Sequence, residues 1–217
     1  MSVVQNNSKD HCPLCNSPGK IFYQYKKRLY FQCNRCYGIY VDKILRPDKE
    51  TEKSRYEEHN NDVYDKNYQK FVSPISSAIM RDFTQNHKGL DFGAGTGPVI
   101  SKLLKDKGFY IEQYDPFFHN NPNLLDKKYD YIACCEVIEH FHNPQKEFGL
   151  LKRMLKKNGR LYCMTDIYDE NINFHKWYYK NDPTHVFIYY RNTIHWIKKE
   201  FGFINVTIEN RLVTFYF

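Results

Sequence analysis

The segment Leu90-Asp91-Phe92-Gly93-Ala94-Gly95-Thr96-Gly97-Pro98 constrains this chain more than any other. Leu90 to Phe92 reads as a short apolar strand and Gly93 to Gly97 as a turn. Pro98 to Lys107 reads as a helix with Val99, Leu103 and Leu104 facing inward. Proline suits the first turn of that helix, where its missing N–H would be unpaired anyway. Glycines close the turn and let the backbone approach a ligand. A glycine-rich turn alone is a weak signal, because dinucleotide sites look similar. Two details discriminate. The spacing is Gly-x-Gly-x-Gly, and Pro98 stands where the dinucleotide fingerprint needs its last glycine, which argues against a dehydrogenase. Asp91 lies just before the first glycine, where an acid suits a ligand carrying an α-amino group rather than a pyrophosphate.

Downstream, strand-like and helical segments alternate to the end. The expected strands are Tyr110 to Tyr114, Tyr129 to Val137, Arg160 to Thr165, Phe203 to Ile208 and Leu212 to Phe217. The expected helices are Pro74 to Thr84, Gln145 to Lys156 (stopped by Asn158-Gly159) and Thr193 to Phe201. Such alternation implies an α/β fold with a mostly parallel sheet covered on both faces. The last two strands, joined by a short turn, predict a final antiparallel strand. Composition agrees with a packed core: 41% of residues are hydrophobic and 26% charged, which argues against disorder.

The stretch from about Ser73 to Phe217 resembles the class I S-adenosylmethionine-dependent methyltransferases, a Rossmann-like fold with a seven-stranded sheet. The resemblance implies S-adenosylmethionine as cofactor. Phe92, Gly93, Ala94, Gly95 and Gly97 would line it, and Asp91 would help hold its methionine end. Asp115 ends the next strand, where an acid can accept hydrogen bonds from both ribose hydroxyls, unless it is only a turn residue before Pro116. Pro116 would also line the cofactor, and Phe117 would cover the adenine. Cys135, Glu136 and His140 would lie near the methyl group, within a Glu-x-x-Glu-His string resembling quinone methylases. The third strand of the family sheet, between Phe118 and Lys128, is hardly visible.

Upstream, Cys12-Pro13-Leu14-Cys15 and Cys33-Asn34-Arg35-Cys36 form two Cys-x-x-Cys knuckles, a spacing that places four thiolates about one Zn²⁺. Ile21 to Tyr25 and Leu29 to Gln32 read as a hairpin around Lys26-Lys27-Arg28, and the whole resembles a zinc ribbon. Four cysteine ligands leave no open position, so the ion is structural. Lys26, Lys27, Arg28 and Arg35 give the module a second reading as a recognition platform. The organisation is thus 1–45 zinc ribbon, 46–72 linker or lid helix, and 73–217 methyltransferase domain. In the middle segment Tyr56, His59, Asn61, Asp62 and Tyr68 are candidates to reach the cofactor; the alternative is a solvated linker.

Glu136, Glu139, His140 and His142 match no common zinc-helix spacing and read as a helix start near the cofactor rather than as a metal site. Cys134, Cys135 and Cys163 read as buried small hydrophobes. His175 to Tyr189 packs His, Asp, Thr, Trp and several Tyr into one irregular stretch after a strand, where α/β enzymes place substrate residues. His185 and Asp182 are candidate general bases and Tyr178 a further catalytic candidate; a self-packed loop is the alternative.

The expected acceptor is a small planar or sugar-like molecule. The net charge of +7 also permits RNA, although the lysines are spread along the chain. A non-catalytic ribbon module with a silent cofactor domain is the remaining alternative, and the intact glycine turn opposes it. No apolar run approaches the ~18 residues of a membrane span. Met1 to Asp10 lacks an apolar signal-peptide core, so the reading is cytoplasmic.

Overall fold

The computed structural model describes residues 11–58 and 61–217. In the N-terminal part, β1 (Gly19–Tyr25) and β2 (Arg28–Cys33) form an antiparallel hairpin, and β3 (Ile39–Val41) pairs with β2. The hairpin turns on Lys26-Lys27, with Lys26 at φ 54°.

Two helices follow. α1 (Lys49–Glu57) begins at Asp48, whose carboxylate accepts from the Thr51 N–H at 2.9 Å. α2 (Lys66–Asp82) begins well before the expected Pro74, because Asp65 caps it by accepting from the Asn67 N–H at 2.8 Å. Pro74 therefore sits inside the helix. It has no N–H for the Lys70 carbonyl, and the Ser73 hydroxyl donates to that carbonyl instead, at 2.7 Å. Val72, Ile75, Ala78 and Ile79 share the buried face.

The main sheet is built from β4 (Lys88–Phe92), β5 (Tyr110–Tyr114), β6 (Tyr129–Cys135), β7 (Leu155–Met164), β10 (Asn205–Glu209) and β11 (Leu212–Tyr216). Its order is β10-β11-β7-β6-β4-β5. β5, β4, β6 and β7 run parallel, while β11 is antiparallel to both β7 and β10. Among the described residues the sheet has six strands rather than seven. The missing one is the third strand of the family sheet. Pro122 to Asp126 forms a 3-10 turn there, capped by Asn121, and the Asn-Pro pair opens a turn instead of a ladder.

Helices α3 (Val99–Lys105), α4 (Pro144–Met154) and α5 (Arg191–Glu200) complete the fold. Asn158-Gly159 does not stop α4. Burial of Leu155 opposite Tyr129 of β6 ends the helix at Met154, and Asn158 takes φ 65° where the β6–β7 register slips.

The irregular stretch after β7 contains two further strands, β8 (Ile167–Tyr168) and β9 (Phe187–Tyr190). They extend the ribbon into a second sheet of order β1-β2-β3-β9-β8. One core accordingly includes the four ribbon cysteines, Phe31 and Tyr40 together with Phe187, Tyr189, Ile132 and Phe148. No helix among the described residues is long and apolar enough to cross a membrane.

Candidate functional site

The ribbon cysteines converge. Cys12 Sγ lies 3.5 Å from Cys36 Sγ and Cys15 Sγ 3.3 Å from Cys33 Sγ, and all four residues are buried. A tetrahedron with Zn–S bonds of ~2.3 Å sets sulfurs about 3.8 Å apart, and one ligand atom from each cysteine falls within 4.8 Å of the others. The Arg35 and Cys36 N–H groups donate to Cys33 Sγ at 3.3 and 3.4 Å, which favours a thiolate. The donor set fits a closed structural zinc site.

The glycine turn joins β4 to α3 at the carboxyl end of the sheet. Gly93 and Ala94 N–H groups donate to the Tyr114 carbonyl at 2.8 and 3.1 Å, which stitches the turn to β5. Gly95 has φ +61°, and a Cβ there would meet nothing within 4 Å, so this part of the turn borders open space. Gly97 has another reason: a Cβ would lie 1.8 Å from the Asn61 carbonyl oxygen, so the segment after α1 lies directly on the turn.

Asp115 closes β5. Its carboxylate accepts from the Gly95 N–H at 3.0 Å and from the Phe117 and Phe118 N–H groups at 2.8 and 3.1 Å. It ties the glycine turn to the Pro116–Phe118 loop. Asp91 is buried and accepts from the Ser101 hydroxyl at 2.8 Å; burial raises its carboxyl to about 6, against the pull of the Ser101 bonds. Cys135 ends β6, and burial pushes its thiol well up.

Glu136 follows at φ 52°, an uncommon conformation for a residue with a side chain. Its N–H donates to the Met164 carbonyl at 2.9 Å, and its carboxylate accepts from Arg211 at 2.7 Å. Burial, then the nearby Glu139 carboxylate, raise its carboxyl against Arg211.

The next turn, Ile138 to His140, carries the densest chemistry. The Val186 N–H donates to the Glu139 carbonyl at 3.0 Å and so pins this turn to the loop before β9. His140 and His185 thereby meet, with ring centroids 4.8 Å apart. His140 Nδ1 bonds the Thr184 carbonyl at 3.0 Å and His185 Nδ1 the Tyr179 carbonyl at 2.8 Å. A carbonyl only accepts, so in each ring Nδ1 carries a proton, and a neutral ring presents Nε2 as a lone pair. Burial holds His185 below the usual imidazole range, against the pull of Glu139. Glu139 is fully buried. Its Oε2 accepts from the Thr165 hydroxyl, itself 2.7 Å from the Tyr179 hydroxyl, while its Oε1 is buried with no hydrogen-bond partner among the described residues. Glu139, His140 and His185 offer three ligand atoms within 4.8 Å of one another.

The structure does not bring the other candidates to this point in the same way. His142 pairs with Glu52 of α1 at 2.8 Å. Asp182 bonds Arg55 at 3.1 Å and the Thr184 N–H at 2.9 Å; although burial works against it, the Thr184 bonds hold its carboxyl at about 2. Tyr178 is exposed and donates to Asp166 at 2.5 Å; burial, then Asp166, push its hydroxyl to about 12. His175 bonds Tyr23 of the ribbon at 2.5 Å.

α1 covers the site. The Tyr56 ring lies 5.3 Å from that of His140 and 5.8 Å from that of Phe117, and burial raises its hydroxyl. Tyr68 on α2 feels Cys135, Asp91 and Glu136, and burial raises its hydroxyl too. Asp62 is exposed and accepts from the Tyr64 N–H, and His59 lies outside the described residues. Sequence reasoning missed the partnership of Glu139 and His140 with His185. The only sequence signal was a His in each of two segments expected at the same sheet edge.

A six-stranded sheet with a glycine turn after its first strand and an acid after its second defines a Rossmann-like nucleoside-binding fold. Residues 56–208 match the family model described as a methyltransferase domain. The chain belongs to that family, and the four-cysteine cluster ahead of the matched residues fits a zinc ion. It is 28% identical over 86 residues to the ubiquinone biosynthesis O-methyltransferase of Pasteurella multocida, a match covering 36% of each chain, about a third of that curated relative. Its fold is similar to an O-methyltransferase family protein from Burkholderia thailandensis, with a TM-score of 0.50, 12% identity, and 76% of this chain and 61% of that one covered. It is likewise similar to a magnesium protoporphyrin IX methyltransferase from Synechocystis PCC 6803 with bound S-adenosylhomocysteine, with a TM-score of 0.50, 15% identity, and 69% and 82% covered.

Proposed function

We propose that the protein transfers the methyl group of S-adenosylmethionine to a hydroxyl oxygen of a small acceptor held between α1 and the loop before β9. The observation that carries this reading is the convergence of buried Glu139 and His185 with half-buried His140. One ligand atom from each lies within 4.8 Å of the others, Glu139 Oε1 is buried without a partner among the described residues, and both imidazoles are oriented by backbone carbonyls. Imidazole with carboxylate suits a first-row divalent ion. The name of the Pasteurella relative, an O-methyltransferase, supports oxygen as the nucleophile.

A cation there would polarise the acceptor hydroxyl and ease loss of its proton. The chain's own groups do the rest. His185, kept neutral by burial, and His140 present Nε2, and Glu139 is aimed by Thr165. Tyr56 closes the site over His140 and excludes water. Asp91 holds the cofactor's amino group and Asp115 its ribose, with Gly93, Ala94 and Gly95 lining it and Phe117 against the adenine. In-line alignment of the hydroxyl with the S–CH₃ bond supplies most of the acceleration, since the sulfonium is already a good donor.

Manganese titration followed by electron paramagnetic resonance tests this on zinc-loaded protein. One further ion per chain is expected, lost in His185→Ala and Glu139→Gln while S-adenosylhomocysteine still binds. Absence of a second ion in the wild-type chain sinks the cation and returns His185 to the role of general base.

A further inference from the structure

Between the ribbon hairpin turn and the 3-10 turn Tyr178–Asn181 lies a cleft of about 440 Å³, lined by Tyr25, Lys26, Lys27, Arg28, Lys180 and Asn181. Four of the six are cations and none is an acid. Lys26 and Lys27 project from the turn into solvent, whereas Lys180 is only 5% exposed. Its ammonium bonds the neutral Asn181 amide oxygen at 2.9 Å and lies 4.9 Å from the centre of the Tyr25 ring. The nearby acid, Asp182, is already taken by Arg55 and Thr184.

Arg28 is the second unusual group. Its Nη1 and Nη2 donate to the carbonyls of Asp182, Pro183 and His185 at 2.9, 3.1 and 2.7 Å, while its Nε is buried with no partner among the described residues. A desolvated cation and an unsatisfied guanidinium donor beside two exposed lysines are costly without an anion. Arg28 also links the cleft to the methyl-transfer site, because it lines the one and holds the backbone of His185 in the other.

We infer that this cleft binds a phosphate group carried by the methyl acceptor, which makes the acceptor a small phosphoester anchored by the zinc ribbon. The inference rests on the acceptor site proposed around His185. Guanidinium and ammonium groups together recognise phosphate oxygens by charge-assisted hydrogen bonds. A single open cleft with buried Lys180 in its wall suits one phosphate and its ring, not a track for a polynucleotide backbone.

Calorimetry with the zinc-loaded full chain, saturated with S-adenosylhomocysteine, tests it against phenyl phosphate, inorganic phosphate and a short oligoribonucleotide. Phenyl phosphate is expected to bind, and the Lys26→Ala/Lys27→Ala variant, both changes at the exposed turn, to weaken it by about tenfold or more. Lys180→Gln is expected to weaken it similarly. Zinc content, S-adenosylhomocysteine affinity and manganese binding should stay unchanged in the turn variant. The inference is overturned if phenyl phosphate binds no better than phenol, or binds the turn variant equally well. It is also overturned if the oligoribonucleotide binds tightest with a salt dependence of several released counterions. Manganese binding reports on the Glu139–His140–His185 site separately, so failure of the cleft and failure of that site are told apart.

Discussion

Asp115 and Asp91 flank the same turn, yet their surroundings assign them different behaviour. Asp115 spends its carboxylate on three backbone N–H groups that shape the rim of the glycine turn. Asp115→Ala should weaken S-adenosylhomocysteine by ~1.5–3 kcal/mol, the worth of hydrogen bonds to a charged acceptor; titration calorimetry measures it. Asp91, raised to about 6 by burial, is half protonated near that pH. Only its carboxylate attracts an ammonium, so S-adenosylhomocysteine affinity should fall as pH drops through 6, and Asp91→Asn should flatten that profile. His185 responds in the same direction through stability. Its folded value is lowered, so below about pH 6.5 the unfolded chain takes up a proton that the folded chain refuses. Stability should decline on acidification through that range, and His185→Gln should remove this component from denaturant midpoints measured across pH. The sequence made both acids and His185 legible as candidates, because each sits next to a strand end. It did not reveal that Asp182 is taken by Arg55 as well as by its neighbour Thr184, since the Arg55 bond comes from a helix far upstream.

At the scale of elements, α1 is the surprise. Its composition reads more readily as a solvated linker, and eight charged or polar residues out of nine hide its role. Tertiary contacts make it a cover: Glu52 pairs with His142, Arg55 with Asp182, and Tyr56 lies against His140 and Phe117. The chain after it then seats its Asn61 carbonyl on Gly97. Gly97→Ala should push that carbonyl away and weaken cofactor binding without unfolding the sheet; circular dichroism and calorimetry on the same sample separate the two effects. α2 and α4 show how local grammar misleads at boundaries. Pro74 looks like a helix start but is tolerated inside because Ser73 satisfies the orphaned carbonyl. Asn158-Gly159 looks like a stop but marks a slip in β7.

For the whole molecule, the ribbon is not an appendage. β3 pairs with β9, and the zinc knuckles share a core with Phe148, Tyr189 and Phe215 of the methyltransferase fold. Zinc removal should therefore lower the midpoint of a single cooperative thermal transition, rather than melt the ribbon alone. Differential scanning calorimetry with and without chelator decides this, and two resolved transitions would contradict it. The Arg28 bridge from β2 to the carbonyl of His185 gives the same coupling a functional side, since loss of the ribbon releases the loop that aims the imidazole.

What the chain declares by itself is whatever depends on short spacing. The strand-turn-helix around Gly93 and the two Cys-x-x-Cys knuckles are legible because steric and ligand geometry act over a few residues. The antiparallel end of the sheet is legible because a short turn joins its two strands. Tertiary structure alone decided that His185 faces Glu139 and His140, that Arg28 crosses from the ribbon to the loop before β9, and that α1 lies over both. These meetings are set by how apolar faces of distant segments bury one another, and that packing leaves no period or motif in the order of residues.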